Sequence, residues 1–303
     1  LQARGLCYKP RQDIGLLDTD QPIPEGIDYD LWTGPAPFVP LRRKRLHYDW
    51  HWDTATGNGD LGNQGVHQMD ICRWALGGDR LPTDVISIGG RLGYEDDGNT
   101  PNTQAVWALY DTAPLLFEVR GLPRDMQAQT EDWGIGMDNH CGVRIGAIIE
   151  CERGSLRIPD YTSAEAFDEE GESMKRWQGA RNHFAKFIAA VRSRRPSDLS
   201  GDIQEGHRSA AVCHLAHISH STGAPASPKK ILKAAGDVSP VFAEATARMI
   251  DHLRANDVDL ERTPLTLGRR LTAPLGGSLD AALAADPATA PLLFRRGRAP
   301  FRF

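Results

Sequence analysis

The chain has 303 residues, 40% hydrophobic and 25% charged, enough for a sizeable core and too apolar for intrinsic disorder. Its net charge is −5 and its densest basic run is LRRKRL at 41–46, which argues against nucleic acid as a partner. No apolar run approaches the ~18 residues of a membrane span.

Residues 2–9 (QARGLCYK) predict a strand, followed by a Pro-, Gly- and Asp-rich connection that runs to the region of residue 46. A glycine-dense stretch, GNGDLGNQG at 57–65, then leads into a helix over 64–76, stopped by Gly77-Gly78. Strand patterns follow at 84–94, 103–110, 115–120 and 142–151. In the last of these Val143, Ile145, Ala147 and Ile149 alternate on one face. The turn Asp111-Thr112-Ala113-Pro114 joins two strands as a hairpin, and short connections of this kind favour antiparallel pairing.

Helical periodicity returns with the stripe Phe184, Phe187, Ile188 and Val191, and again with Ala211, Val212, Leu215 and Ile218. Ser239-Pro240 supplies an N-cap and first-turn proline for a helix carrying Phe242, Ala245, Met249 and Leu253. From about residue 256 the Pro/Gly/Ala/Arg-rich chain is expected to wrap the surface, and the acidic run 168–172 reads as a solvated turn. The fold class is therefore α+β: a large open, mainly antiparallel sheet covered by helices on one face. Residues 1–222 are expected to form one substrate and catalytic domain, with 223–303 a partly irregular extension packing on it.

Gly57, Gly59 and Gly62 have the spacing of a dinucleotide fingerprint. HYDWHWDT at 47–54 is no strand, and no acidic residue closes a second strand about 20 residues on, as ribose binding needs. A Rossmann site is rejected here, and no cofactor-binding or metal-binding residue is assigned. If the helix begins near Asn63, positions 63, 67, 70 and 74 share one side. That side presents Asn63, His67, Asp70 and Trp74, while Val66, Met69, Cys72, Ala75 and Leu76 face the sheet. His67 in the first turn sits where the helix dipole disfavours its protonated form, so a neutral imidazole is available as proton acceptor.

Several ordered motifs resemble the Gfo/Idh/MocA oxidoreductases, a family that includes glucose–fructose oxidoreductase and inositol dehydrogenase. They are LCYKPR at 6–11, YDLWTGPAP at 29–37, HYDWHW at 47–52, GNGDLGNQGVHQMD at 57–70 and GHRSA at 206–210. The resemblance covers residues 1 to about 222, with a weaker echo in RAPF at 298–301. It implies the family's C-terminal domain, on an open antiparallel sheet, without the N-terminal Rossmann domain that binds NAD or NADP. The resemblance implies that this domain, with the family's catalytic lysine, lies upstream of Leu1; the chain carries no initiator Met, so its natural start is expected to be missing.

The family's catalytic Asp-x-x-x-His is Asn63-x-x-x-His67 here, leaving Asp70 as the helix's nearest acid and Asp60 as a loop candidate. The resemblance thus implies His67, Asn63 and Asp70 as catalytic candidates. It implies Lys9, Arg11, Tyr8, His51, Trp52 and Asp60 as candidates for contact with a small sugar-like substrate.

The expected function is the substrate and catalytic part of an NAD(P)-dependent sugar or cyclitol oxidoreductase, with NAD or NADP bound mainly by the other domain. Redox-assisted glycoside cleavage stays open as its net outcome. One alternative is metal-assisted hydrolysis or elimination without nucleotide, with His47, His51, Asp53 and His67 as ligands. Another is a non-catalytic dimerisation or binding module. Apolar residues on both alternations of the strands (Val106, Trp107, Leu116, Phe117, Ile148, Ile149) point to a homo-oligomer through the sheet. Five scattered cysteines without a C-x-x-C pair read as reduced, mostly buried thiols, which suits the cytoplasm, with the periplasm open because the natural start is not seen.

Overall fold

The computed structural model describes residues 1–179, 182–294 and 297–301. In chain order its elements are β1 (Gln2–Tyr8), α1 (Tyr29–Thr33), a 3-10 turn (Asp49–Trp52), α2 (Asp60–Asn63), α3 (Gly65–Ala75), β2 (Asp84–Gly90), β3 (Thr103–Leu109), β4 (Pro114–Arg120) and α4 (Met126–Glu131). The outer strands β5 (Ile145–Cys151), β6 (Gly154–Ile158), β7 (Ser163–Phe167) and β8 (Ser173–Gln178) follow. Then come α5 (His183–Ser193), a 3-10 turn (Pro196–Asp198), α6 (Ile203–Ser221), β9 (Ala224–Ala226), α7 (Pro228–Val238) and α8 (Pro240–Ala255). The chain finishes with β10 (Leu265–Leu267), β11 (Leu271–Thr272), α9 (Leu279–Ala285) and α10 (Ala290–Leu293).

The strands form one open sheet in the order β8-β7-β6-β5-β1-β4-β3-β2-β10-β9, with β11 paired to the start of β2. Among the described residues every pair is antiparallel except β1 with β4. The expected mixed α+β architecture with a large, mainly antiparallel sheet is therefore borne out, but helices lie on both of its faces rather than on one. The segment beyond residue 256 does more than wrap the surface, because β10 and β11 extend the sheet at β2. Residues 168–172 are the expected turn, closed by the Asp168 N–H on the Glu172 carbonyl.

One face of the sheet carries α3 and α6. Val85, Val106, Leu115, Phe117 and Ala147 meet Met69, Cys72, Val212 and Leu215 there. Close approach at this layer depends on Gly5, where a Cβ would lie 2.4 Å from the Phe117 ring, and on Gly65, where it would lie 3.0 Å from the same ring. These two glycines seat the first turn of α3 over β1 and β4, and so fix where His67 emerges.

The alternate residues Ile86, Ile88, Ala105, Trp107 and Leu116 point to the other face, where α8 supplies Phe242, Ala245, Met249 and Leu253. Leu6, Tyr8 and Ile148 on that face pack with Met137 and Val143. Apolar residues on both alternations are thus covered from within the chain, by helices at one end and by the segment after β4 at the other. Physically, the strands that carry them are interior on both sides. The expected α5 helix forms, but its stripe of Phe184, Phe187, Ile188 and Val191 is exposed. Among the described residues no helix is long and apolar enough to cross a membrane.

A buried ionic cluster ties this second face together. Glu118 accepts from Arg4 Nη1 (2.6 Å), Tyr8 OH (2.7 Å), Arg248 Nη2 (2.6 Å) and Arg120 Nη2 (3.2 Å). Burial alone would raise its pKa, but Arg120, Arg248 and Arg4 outweigh that and hold it at about 2. A depressed carboxylate contributes stability that is present above its unfolded pKa and lost as pH falls through the folded one. The window here runs from the ordinary value of 4.5 down to about 2. Glu118→Gln is expected to cost roughly 3 kcal/mol at neutral pH, a deficit that closes as pH falls through this window. Urea unfolding at a series of pH values checks it; parallel stability curves for the two proteins would remove Glu118 from the acid limb.

Candidate functional site

The glycine-dense loop is built for packing. A Cβ at Gly57 would lie 2.5 Å from His51 Cα, one at Gly59 2.6 Å from the Pro101 carbonyl, and one at Gly62 1.9 Å from Asn58 Oδ1. Gly59 also has φ +75°, which favours glycine. Backbone that is already in contact with protein on these sides offers no cradle to a pyrophosphate, and the loop follows a 3-10 turn rather than a strand. The residues present do not fit a dinucleotide here.

What the loop delivers is Asp60, at the start of α2, against the end of β1. Arg11 Nε and Nη2 donate to Asp60 Oδ2 and Oδ1, each at 2.6 Å, in a two-pronged pair with both side chains buried. Asn63 Nδ2 adds a bond to Asp60 Oδ1 at 3.0 Å. Arg11 Nη1 donates to Tyr48 OH, and Tyr94 OH donates to the Arg11 carbonyl. Burial works against the Arg11 charge, but hydrogen bonding and attraction to Asp60 outweigh it and hold its pKa above the ordinary value.

His51 completes the buried side of the cluster. Its Nδ1 lies 2.9 Å from the Tyr48 carbonyl, so Nδ1 carries the proton and Nε2 is a bare acceptor. Nε2 stands 3.8 Å from Asp60 Oδ1 without a hydrogen bond, as two acceptors must. Burial pushes this imidazole down to about 4, so it is neutral.

On the open side, Lys9 Nζ donates to Gln64 Oε1 (2.7 Å), and Gln64 Nε2 donates to Tyr161 OH (2.7 Å), which also accepts from Gln68 Nε2 (3.0 Å). The Tyr161 ring lies edge-on to His67, 5.7 Å between centroids. His67 is exposed in the first turn of α3. It opens a groove of about 840 Å³ between α3 and the outer strands, lined also by Asp70, Trp74, Tyr161, Trp177 and Gln178. Asp70 Oδ1 accepts from Ser209 Oγ (2.5 Å) and Arg73 Nη2 (3.4 Å), tying α3 to α6.

The structure therefore brings Arg11, Asp60 and Asn63 into one hydrogen-bonded cluster with His51 against its buried side, and sets Lys9 in a separate chain through Gln64 to Tyr161, with His67 beside Tyr161 and Asp70 further along the groove. It does not place Tyr8 there, and Trp52 reaches the cluster only from its buried side, packed on the His51 ring at 4.5 Å between centroids. Tyr8 points to the opposite sheet face, toward Glu118, because strand parity sends it away from Cys7 and Lys9. Trp52 is buried, with the Arg91 guanidinium 4.6 Å above its ring. Asn63 and His67 do not form the expected shared helix side. The helix breaks at Gln64, Asn63 ends α2, and its amide is committed to Asp60.

Gln64, Tyr48 and Tyr161 were missed by the sequence reading. Gln64 and Tyr48 lie inside quoted motifs, whereas Tyr161 follows β6, a strand the pattern did not reveal. The residues proposed for the metal-assisted alternative are dispersed: Asp53 pairs with Arg43 at 3.5 Å and His51 faces Asp60. Among the described residues no group of three His, Cys, Asp or Glu side chains is placed to hold a metal ion.

Residues 14–97 match the Gfo/Idh/MocA family described as "Oxidoreductase family, C-terminal alpha/beta domain", which bears out the resemblance read from the motifs. No curated protein matches the chain. Among solved structures, the WlbA dehydrogenase from Bordetella pertussis, in complex with NADH and UDP-GlcNAcA, is 11% identical with a TM-score of 0.39. The match covers 71% of this chain and 51% of that one. Its counterpart from Chromobacterium violaceum, in complex with the same two compounds, is 13% identical at TM-score 0.39, covering 71% and 52%. An oxidoreductase from Thermotoga maritima is 10% identical at TM-score 0.38, covering 72% and 50%. The chain thus spans about half the length of these structures.

Proposed function

We propose, for a chain whose residues 14–97 carry the C-terminal alpha/beta domain of the Gfo/Idh/MocA oxidoreductases, that it is the substrate and catalytic part of an NAD(P)-dependent enzyme oxidising a CH–OH group of a sugar or cyclitol. The observation that carries the reading is an exposed imidazole, His67, set beside the Lys9–Gln64–Tyr161 hydrogen-bond chain at the mouth of a groove. No described side chain hydrogen-bonds the His67 ring, so it is available to take a hydroxyl proton. Lys9 and Tyr161 supply donors for neighbouring hydroxyls, and the neutralised Arg11–Asp60 pair holds the strand end and the loop in register. The hydride acceptor, NAD or NADP by the family resemblance, is assigned to a domain other than this one.

Because the glycine loop offers no phosphate cradle, calorimetric titration of these 303 residues with NADH or NADPH is expected to give no heat of binding. A micromolar dissociation constant would overturn the assignment of the nucleotide to another domain. In a protein that joins this chain to a nucleotide-binding domain, sugar-dependent reduction of NAD or NADP, abolished with His67, tests the reading itself.

We also propose self-association, now through the outer strands and α5 rather than the middle of the sheet. An 11-residue helix has little stability alone in water, and a second copy covering Phe184, Phe187, Ile188 and Val191 would supply the cover that the described residues do not. Light scattering is expected to give a dimer or larger assembly at a concentration on the order of tens of micromolar, and Phe187→Glu to return it to monomer. A monomeric parent protein would end this proposal.

A further inference from the structure

The groove extends well past His67. His67, Asp70, Ile71 and Trp74 follow the i, i+3, i+4, i+7 spacing and form one stripe of α3 along its length. Seven residues at the helical rise separate His67 from Trp74 by about 10 Å, roughly twice the length of one pyranose ring. Two indoles from different elements line the groove, Trp74 at the far end of the α3 stripe and Trp177 of β8 across from α3, exposed at 54% and 44%. Neither indole has another aromatic ring as partner among the described residues; Lys175 Nζ leans on Trp177 at 5.0 Å. Tyr161, also exposed, stands nearer His67.

The polar lining favours uncharged hydroxyls. Among the described residues Asp70 is bonded through Oδ1, leaving Oδ2 as an acceptor. Gln178 and Thr162 sit opposite, weakly joined at 3.3 Å. Asp160, at the rim, is satisfied by Thr162 and Ser163, whose hydrogen bonds hold its pKa at about 2, so it is a fixed negative charge. Among the described residues the groove lining holds two carboxylates and no lysine or arginine, with Lys175 reaching it only over the Trp177 ring. Such a lining offers the phosphates of a nucleotide-linked sugar no cation of its own and suits a neutral ring with an apolar face for stacking and hydroxyls at its edge.

Resting on the reading of His67 as the reactive end, we propose that the Trp74–Trp177 end of this groove is a subsite for a second sugar ring. The substrate is then a neutral glycoside of at least disaccharide length. The ring to be oxidised lies at His67, Lys9 and Tyr161, and the second ring stacks on the indoles with a hydroxyl toward Asp70 Oδ2.

The test uses the chain itself. Binding of cellobiose, maltose, lactose and trehalose is compared with that of glucose, galactose and myo-inositol by calorimetry, in the parent protein, Trp177→Ala and Trp74→Ala. Both indoles are on the surface, and circular dichroism confirms that the variants fold. At least one disaccharide is expected to bind more tightly than any monosaccharide, and each substitution to weaken it about two- to tenfold, the value of one aromatic contact. Monosaccharide binding should be unchanged in both variants but lost in His67→Ala. If monosaccharides bind as well as disaccharides and the tryptophan variants change nothing, the second-ring subsite is overturned while the reading of His67 stands. If none of these saccharides binds, both fall together. Binding of UDP-glucose in preference to every neutral disaccharide overturns the exclusion of charged ligands.

Discussion

Asp60→Asn is expected to lower the stability of the chain by about 3–5 kcal/mol, the range found when one partner of a buried ion pair is removed. The change is isosteric, so packing against Leu61 and the glycine loop is kept and the effect is electrostatic. Arg11 remains buried and loses the carboxylate that meets both Nε and Nη2. Tyr48, its remaining side-chain partner, is exposed and uncharged. The local consequence is larger than the global one. Arg11 anchors the chain leaving β1 through its N–H on the Gly121 carbonyl, and its own carbonyl receives Tyr94. Loosening it should free Lys9 as well. A double variant, Arg11→Met with Asp60→Leu, should cost less than the sum of the single changes, because it removes both charges together. Urea midpoints for the three proteins measure this. A loss below about 1 kcal/mol for Asp60→Asn, the scale of an exposed pair, would mean that water reaches Arg11 and that the pair does not hold the loop.

That pair also marks where sequence reasoning ran out. Both residues were named as candidates, 49 positions apart, but nothing local indicates that a guanidinium after a strand meets a carboxylate at a helix start. Strands β1 to β5 and helices α3, α6 and α8 were legible because each buries a face and carries the corresponding period. Strands β6, β7 and β8 were not. Their residues (GSLRI, SAEAF, SMKRWQ) are half-buried or exposed, so polar and apolar positions do not separate. Segments β9, β10 and β11 are two or three residues long and owe their geometry to pairing with β2 or, for β9, with β10. The α5 stripe gave the right helix and no information about its partner. Parity alone could have removed Tyr8 from the site, since it lies one residue from both Cys7 and Lys9 in an extended chain.

His67→Ala, in a protein that joins this chain to a nucleotide-binding domain, is expected to reduce turnover by ~10²–10⁴-fold, the usual contribution of a positioned acid–base group. Thermal stability should hardly move, since the ring is exposed and its ring contact among the described residues is the edge of Tyr161; surface changes of this kind stay within about 0.5 kcal/mol. The companion substitution is Asn63→Asp, which restores the carboxylate found four residues before the histidine in the family pattern. In this chain the Asn63 amide donates to Asp60 Oδ1, so a second carboxylate would face one that Arg11 already neutralises. The lost donor and the like charge should cost about 1–3 kcal/mol, and one of the two acids should take up a proton at a raised pKa. His67 shares no hydrogen bond with Asn63, so the pH dependence of turnover is expected to keep its midpoint. An upward shift of that midpoint in Asn63→Asp would show that position 63 tunes the imidazole after all. Full turnover in His67→Ala at saturating substrate would instead take the imidazole out of the reaction and leave the Lys9–Gln64–Tyr161 chain as the remaining source of proton transfer at this turn.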